Sequence, residues 1–322
     1  MITIGILGAA GIAPRSIIQP ARRNPETRVH AVASLRAEAG RAYAREHDIP
    51  LVYASYDELI ADPAIDIIYN CLPPVAHAEW TIKALEAGKH VLCEKPIAMT
   101  AEEATRMVAA ADRAGRVLME AFHDRYHPAF LHLLDLKTSG RLGAIRSARA
   151  EFLVDVPYDP ENIRYDPAQG GGAMMDLGCY PLHWLRSFLG SEPTVLSATA
   201  DRTELGIDRC IAADLGFAGG VNASFLADLA RPPYRGLLRI EAENGVVELD
   251  NPCLPHKGHS IREWLDGSFR EHTVAGGTTY DYQLAALVDA VGNGTVLPTG
   301  GADAIGNMRA IDAIYAAAGF SR

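Results

Sequence analysis

The chain opens with the stretch Ile2-Thr-Ile-Gly-Ile-Leu-Gly8-Ala-Ala-Gly11-Ile-Ala13, and this stretch decides its fold class. Its first residues are mostly β-branched or leucine, which predicts a buried strand over Ile2–Leu7. Small residues follow, and Ile12–Arg23 is then predicted to be helical. A strand that turns through small residues directly into a helix is typical of the first repeat of a doubly wound α/β domain.

The sequence up to residue 121 repeats this alternation. Further strands are predicted at Val29–Ala33, Ile65–Asn70, His90–Cys93 and Val117–Met119, and further helices at Ala37–His47, Val75–Ala87 and Ala101–Ala114. The strands are short and apolar on both faces, which is typical of parallel strands covered by helices on both sides. We therefore expect a doubly wound parallel sheet in a domain that spans residues 1–121.

The pattern changes after residue 121. Helices are predicted over His127–Thr138 and Ala173–Leu189, with a long strand, Ala144–Val154, between them. Short alternating segments from residue 194 to about 273 indicate an antiparallel or mixed sheet, and two helices around Asp281–Gly292 and Ala302–Ala318 close the chain. Residues 122–322 are expected to form an α+β domain, with the active site between the two domains.

Composition narrows the classes of protein. With 322 residues, 48% of them hydrophobic and 22% charged, the chain is expected to fold as two globular domains. Its net charge of −10 argues against nucleic acid or an anionic membrane as a partner, and no apolar run is long enough to span a bilayer. Five cysteines without a CxxC pair, and a start without a signal sequence, predict a cytoplasmic protein with reduced thiols. The histidines have no metal-binding spacing, so no metal site is expected.

The turn after the first predicted strand has the composition of a phosphate-binding loop. Gly8 permits a tight turn, and Ala10, Gly11 and Ile12 let backbone N–H groups approach a pyrophosphate at the start of a helix. Ala10 stands where the G-x-G-x-x-G pattern has its second glycine, so a tight turn without a ligand is the alternative. The order of strand, turn and helix favours a dinucleotide site.

The end of the second predicted strand indicates which dinucleotide is bound. Proteins that bind NAD carry an Asp or Glu there, which bonds to the ribose 2′-hydroxyl, whereas this chain has Ser34-Leu-Arg36. A hydroxyl and a guanidinium suit a 2′-phosphate, which a carboxylate would repel. NADP(H) is therefore the expected cofactor. NAD(H) remains the alternative if Arg36 is only a solvated charge.

Glu94-Lys95-Pro96 follows a predicted buried strand, at the end where catalytic groups of open α/β sheets gather. Lys95 can bind a substrate hydroxyl and stabilise a developing alkoxide, and Glu94 can orient the lysine beside the cofactor. A surface ion pair is the alternative interpretation. The Lys95–Pro96 bond is a candidate cis peptide, although base rates favour trans.

Two further segments are expected to line the site. Leu72, Pro73 and His77 follow another predicted strand and are expected to flank the cofactor. Arg125 lies in a polar segment at the domain boundary that suits a sugar-like ligand.

Asp176, Tyr180 and His183 are spaced so that they share one face of a predicted helix, directly after three glycines. A carboxylate, a phenol and an imidazole on one face form a plausible acid–base group. Each has an ordinary alternative: Asp176 can pair with a neighbour, Tyr180 can be a half-buried aromatic, and His183 can be a packing histidine.

These segments resemble the Gfo/Idh/MocA oxidoreductase family over nearly the whole chain. The resemblance rests on three motifs: the glycine turn, Ala-Gly-Lys-His-Val-Leu-Cys-Glu-Lys-Pro at 87–96, and Gly-Gly-Gly-Ala-Met-Met-Asp-Leu-Gly-Cys-Tyr at 170–180. Met-Glu-Ala-Phe at 119–122, followed by Arg125-Tyr-His-Pro128, is similar to the branch with dihydrodiol dehydrogenase, xylose dehydrogenase and glucose–fructose oxidoreductase. The resemblance implies a Rossmann domain and a second domain with a large open mixed sheet, which often pairs subunits as homodimers or homotetramers.

The resemblance also implies roles for three residues. Lys95 matches the family lysine that contacts substrate and nicotinamide, Asp176 matches the aspartate that helps to hold substrate, and Tyr180 matches the proton-transfer residue of the branch. The chain departs from the family where His123-Asp124 replaces an aromatic residue or a methionine.

The sequence thus predicts an enzyme: an NADP(H)-dependent oxidoreductase that moves a hydride to or from a CH–OH or C=O centre of a sugar, polyol or related alcohol. Lys95 and Tyr180 are expected to assist the proton transfer, and Arg125, Asp176 and His183 to contact substrate. One alternative is a reductase of keto-sugars, including nucleotide-linked ones, with Arg125, Arg164 and Arg231 as candidates to meet a phosphate. The other is a non-catalytic NADP(H)-sensing regulator of the same fold.

Overall fold

The computed structural model describes residues 1–320, which form two compact units. The first unit comprises Met1–Phe122 and Tyr280–Ile305, and the second comprises His123–Thr279 with the residues from Gly306 onward. From the sequence, 280–305 was expected in the second domain. Hydrogen bonding within the first unit explains the difference, since the backbone N–H of Glu120 donates to the carbonyl of Thr299 at 2.8 Å.

The first unit contains a six-stranded parallel sheet in the order β3-β2-β1-β4-β5-β6. Its strands are β1 (Ile2–Leu7), β2 (Thr27–Ala33), β3 (Leu51–Tyr53), β4 (Ile67–Asn70), β5 (His90–Cys93) and β6 (Leu118–Glu120). The strand order reverses between β1 and β4, and ligands of doubly wound sheets bind at such a reversal. The sheet confirms the predicted fold class, and the sequence missed only β3, a three-residue edge strand.

Helices lie between these strands, and among them the short helix Tyr56–Ala61 was not predicted from the sequence. They are α1 (Gln19–Arg23), α2 (Ala37–Glu46), α3 (Tyr56–Ala61), α4 (His77–Glu86) and α5 (Ala101–Ala114). A wider π-type turn, Pro14–Ile18, precedes α1, so the predicted helix from Ile12 is irregular at its start. The side chain of Thr100 caps α5, and Gly115, with a φ of 60°, ends it.

The second unit is built on an eight-stranded mixed sheet in the order β14-β13-β12-β11-β7-β10-β9-β8. Its elements are α6 (Pro128–Thr138), β7 (Ile145–Asp155), α7 (Cys179–Leu189), β8 (Thr194–Arg202), β9 (Asp208–Phe217), β10 (Val221–Asp228), β11 (Ala230–Ala242), β12 (Gly245–Asp250), β13 (Ser260–Leu265) and β14 (Ser268–His272). The β7–β10 pair is parallel and the other pairs are antiparallel. The large mixed sheet confirms the expectation from the resemblance.

Packing against this sheet holds α7, the helix that carries Tyr180. α7 packs on β7, β10 and β11, and Trp184 and Phe188 on α7 are completely buried. The chain closes with α8 (Thr279–Asn293) and α9 (Ala302–Ala317). Across residues 1–320, no helix combines the length and the apolar character needed to cross a bilayer.

Candidate active site

The glycine turn follows β1 at the carboxyl edge of the first sheet. Gly8 has a φ of 95°, which side chains disfavour, and a Cβ there would lie only 3.0 Å from Cδ2 of Leu72. Its N–H donates to the carbonyl of Ala33 at 2.9 Å, which ties the turn to β2. Gly8 is therefore required by the backbone, independently of any ligand.

The residues after Gly8 leave room above the turn. The carbonyl of Ala10 accepts the hydroxyl of Tyr43 at 3.0 Å, which fixes the turn from one side. Gly11 is exposed, and a Cβ added to it would meet nothing within 4 Å. Ile12, half-buried, leads into the helical segment. The fold therefore does not require glycine at position 11, and the backbone there is open to a ligand.

Ser34 and Arg36 differ in accessibility at the end of β2. The Ser34 hydroxyl is engaged locally: it accepts the backbone N–H of Arg36 at 3.3 Å, and the residue is buried. Arg36 is exposed at the start of α2 and makes no ion pair with any residue in the described part of the chain. The guanidinium, rather than the hydroxyl, is the group available to a phosphate.

His77 is fully buried between two loops of the same sheet edge. Its Nε2 lies 2.8 Å from the carbonyl oxygen of Leu72, and its Nδ1 lies 2.9 Å from that of Pro96. Burial lowers the pKa of His77 to about 4. The two carbonyls act in the opposite direction because they favour the charged ring, but burial has the larger effect. The side chain has no exposed surface, which favours a structural role. The ring packs between the loop of Leu72 and Pro73 and the loop of Pro96.

Glu94 and Lys95 follow β5, as the sequence predicted. Both are half-buried, and Glu94 accepts the Tyr69 hydroxyl at 2.5 Å and the Lys95 backbone N–H at 3.3 Å. Ser16 in turn lies 2.7 Å from the Tyr69 hydroxyl, and burial raises the pKa of Glu94. The Lys95–Pro96 bond is cis. The Glu94 carboxylate therefore holds the backbone at Lys95.

In the second unit, a buried carboxylate fixes the segment that leads into α7. Asp208 accepts the backbone N–H of Met174 at 2.6 Å and the hydroxyl of Tyr315 at 2.9 Å. Gly172, with a φ of 117°, lies so close that a Cβ would collide with this carboxylate. A π-type turn, Met174–Gly178, then joins α7. The packing against Asp208 therefore accounts for Gly172, one of the three consecutive glycines, and no ligand is needed to explain it.

Asp176 lies in the π-type turn and pairs with Arg164. The Nε of Arg164 donates to Oδ2 of Asp176 at 2.6 Å, and this carboxylate raises the pKa of the guanidinium. Arg164 also interacts electrostatically with Tyr180. Both members of the pair are partly exposed, so each can contact a polar ligand.

Tyr180 meets a partner that the sequence did not predict. Its hydroxyl lies 3.3 Å from Nε2 of His123, and the two rings pack edge to face with centroids 5.9 Å apart. Phe152 and Trp184 pack around the phenol, which leaves Tyr180 6% exposed. The only sequence signal was that His123 replaces an apolar residue of the family.

His183 lies inside the second unit. Its Nε2 is 3.2 Å from the Ser187 hydroxyl, and the residue has no exposed surface. Asp124 beside it accepts Trp184 Nε1 at 2.6 Å, and burial raises the pKa of Asp124 to about 6. The burial of the imidazole and its contact with Ser187 favour the packing alternative for His183. Arg125 is half-buried, with its guanidinium 5.5 Å from the Phe130 ring centroid.

A doubly wound sheet, a dinucleotide-type turn and a lysine at the same sheet edge define an oxidoreductase with a nicotinamide cofactor. Two family models match the chain: the NAD-binding Rossmann fold of the oxidoreductase family over residues 2–122, and the GFO/IDH/MocA C-terminal domain over residues 130–248. The chain belongs to the Gfo/Idh/MocA oxidoreductase family, as its motifs indicated.

Relatives with assigned activities cover the whole chain. D-xylose 1-dehydrogenase (NADP(+)) 2 of Haloferax volcanii is 34% identical over 317 residues, which are 98% of this chain and 96% of the relative. The aldose–aldose oxidoreductase of Caulobacter crescentus, solved with glycerol, superposes with a TM-score of 0.91 at 29% identity over 98% of this chain and 97% of that chain. A 3-ketoreductase of Actinomadura kijaniata, solved with NADP and TDP-benzene, superposes with a TM-score of 0.89 at 26% identity over 98% of this chain and 97% of that chain. The chain is an enzyme acting on CH–OH or C=O groups.

Proposed function

We propose that the protein is an NADP(H)-dependent oxidoreductase that interconverts an alcohol and a carbonyl in a sugar, polyol or related small alcohol. One observation carries the proposal: the glycine turn after β1 and Lys95 after β5 lie at the same carboxyl edge of one parallel sheet. The glycine turn would hold the pyrophosphate of a dinucleotide at that edge. When bound, the nicotinamide supplies the hydride acceptor or donor.

Lys95 is proposed to bind the reacting oxygen of the substrate. Its ammonium donates a hydrogen bond to that oxygen and stabilises the negative charge that develops on it. Glu94 holds the Lys95 backbone, and Glu94 is itself held by Tyr69. The lysine therefore projects from a backbone that buried polar contacts keep in place.

Tyr180 is proposed to take the hydroxyl proton during oxidation and to return it during reduction. His123 supports this role because its Nε2, 3.3 Å away, orients the phenolic hydroxyl. Asp176 is proposed to hold substrate hydroxyls, together with Arg164 and Arg125. The Asp176–Arg164 pair offers one acceptor and one donor side by side, which suits a polyol.

NADP(H) is proposed in preference to NAD(H). The argument is the exposed Arg36 at the end of β2 and the lack of a carboxylate from Ser34 to Arg36. The xylose dehydrogenase relative and the ketoreductase structure both carry NADP in their names.

Of the two other functions, the keto-sugar reductase has a specific observation in its favour and the non-catalytic regulator has none. A keto-sugar reductase is favoured by the likeness to the 3-ketoreductase, although Arg164, one candidate for a phosphate, already pairs with Asp176. A non-catalytic regulator is disfavoured because a sensor needs neither a lysine at the sheet edge nor a tyrosine bonded to a histidine. A homodimer or homotetramer through the second sheet, in the cytoplasm, is part of the proposal.

The test is a titration with NADPH and NADH, followed by assays of aldoses, polyols and keto-sugars with the matching cofactor. We expect tighter binding of NADPH and turnover of at least one aldose or polyol. Tyr180→Phe should lower kcat by about 100-fold or more while cofactor affinity stays unchanged. Tyr56→Phe is the control, because Tyr56 is a similarly buried tyrosine that packs on Trp80 in the first unit. Equal turnover of Tyr180→Phe and wild type would remove Tyr180 from the mechanism.

A further inference from the structure

Three side chains from three elements of the second unit converge away from the proposed active-site residues. His132 lies on α6, Glu263 on β13 and His272 on β14, the edge strand of the large sheet. Glu263 occupies the buried side of β13, where Ile261 and Leu265 are its apolar neighbours two positions away. The register pairs His272 with Ile261, which places the histidine on that same face.

The nitrogens of both histidines face one carboxylate oxygen. His132 Nε2 lies 2.8 Å from Oε1 of Glu263, and His272 Nε2 lies 3.6 Å from the same atom. The three ligand atoms all lie within 4.8 Å of one another. The two imidazole rings are nearly perpendicular, with centroids 5.1 Å apart, so their nitrogens can approach a common point without stacking.

A simple buried ion pair does not account for this arrangement. Arg141, half-exposed, already neutralises Glu263 from the side of Oε2, with its Nη2 3.4 Å away. His132 alone supplies a hydrogen bond to Oε1. His272 is too distant for a hydrogen bond to that oxygen, yet its Nε2 is aimed at it.

We propose that His132, Glu263 and His272 bind one divalent transition-metal ion, and that zinc is the ion this ligand set suits. Two imidazole nitrogens and one carboxylate oxygen form a three-ligand site that leaves a position for water. Tetrahedral ligands of zinc lie roughly 3.4 Å apart, so a pair at the 4.8 Å limit would move inward by about 1.4 Å. With a metal bound to Oε1, Arg141 would remain paired with Oε2 of Glu263 and would not be a ligand.

The site draws its three ligands from three elements of the second unit. Bound metal would join α6 to β13 and to the edge strand β14, so its role would be to stabilise this part of the sheet.

The experiment is a titration of metal-free protein with Co²⁺, followed by visible absorption, and with Zn²⁺, followed by calorimetry. We expect one ion per chain and absorption bands typical of a site with nitrogen and oxygen ligands. Zn²⁺ should raise the Tm, and a chelator should reverse the rise. Glu263→Gln and His132→Gln should each weaken binding by about 100-fold or more.

His47→Gln is the matched control, because His47 lies beside Glu46 on the first unit and has no third ligand among residues 1–320. It should bind the metal like wild type. Binding that is unchanged in both His132→Gln and His272→Gln would place the ion elsewhere and overturn the proposal. A wild-type protein that binds no Co²⁺ or Zn²⁺ would overturn it without any variant.

Discussion

The buried His77 gives the sharpest quantitative prediction, because its protonation opposes folding. In the folded chain the imidazole lies between the carbonyls of Leu72 and Pro96 with no exposed surface. Its pKa is lowered from 6.5 to about 4. The unfolded chain therefore takes up the proton first as the pH falls, so folding loses stability from pH 6.5 down to about pH 4 and then levels off.

The magnitude follows from the size of this shift. A difference of about 2.5 pH units corresponds to about 3.4 kcal/mol in total. Between pH 7 and pH 5 the wild type should lose about 2 kcal/mol through this one group. A glutamine at position 77 can still donate to the carbonyls but does not titrate. His77→Gln should therefore be less stable than wild type at pH 7, by about 1 kcal/mol, and show a weaker dependence on pH.

Hydrogen exchange of peptides that cover β4 measures this stability in the first unit, at pH 7 and pH 5, for wild type and His77→Gln. Other titrating groups cancel in the comparison of the two proteins. The wild type should lose about 2 kcal/mol more than the variant over this interval. An equal loss in both proteins would show that His77 is not buried in its neutral form and would refute the reasoning.

Three further perturbations test other parts of the molecule. Arg36→Ala should lower the preference for NADPH over NADH by about 10-fold or more, measured as a ratio of Kd values, whereas unchanged preference would assign the 2′-phosphate to another group. His123→Phe should lower kcat by about 10-fold with little change in KM. His123→Gln should recover part of this loss because it keeps a polar group beside Tyr180, whereas an effect confined to KM would contradict the orienting role. Gly172→Ala should destabilise the second unit by about 2–4 kcal/mol, seen as a lower Tm, because it forces a side chain against the Asp208 carboxylate at positive φ; an unchanged Tm would mean that the carboxylate can move aside at no cost.

Much of the fold could be predicted from local pattern. β1 and β5 begin and end at the predicted residues, and so does α5, which has a capping threonine and a terminal glycine. These elements are apolar on the expected faces and are bounded by residues with strong preferences. β3 escaped prediction because it has only three residues at a sheet edge and exposes Leu51.

β13 and β14 lie in the region up to about residue 273 that indicated a sheet, but neither was predicted as an individual strand. The core-facing positions of β13 should be apolar, but one of them is Glu263, which breaks the alternation. β14, Ser268–His272, is polar except for Phe269, and Phe269 is exposed. His132 and His272 are far apart in sequence, so their convergence on this glutamate became visible only with the strand register in place.

Solvent accessibility helps to separate residues that contact a ligand from residues with a structural role, and sequence spacing does not predict accessibility. His77 and His183 stood at positions suited to ligand contact, yet both are fully buried and bonded within the protein. Asp208 had no motif at all, yet it fixes the segment before Tyr180. A motif constrains side-chain type, whereas packing decides which side chain reaches solvent. We therefore expect His77 and Asp208 variants to change stability and turnover together, and Lys95 and Tyr180 variants to change turnover alone.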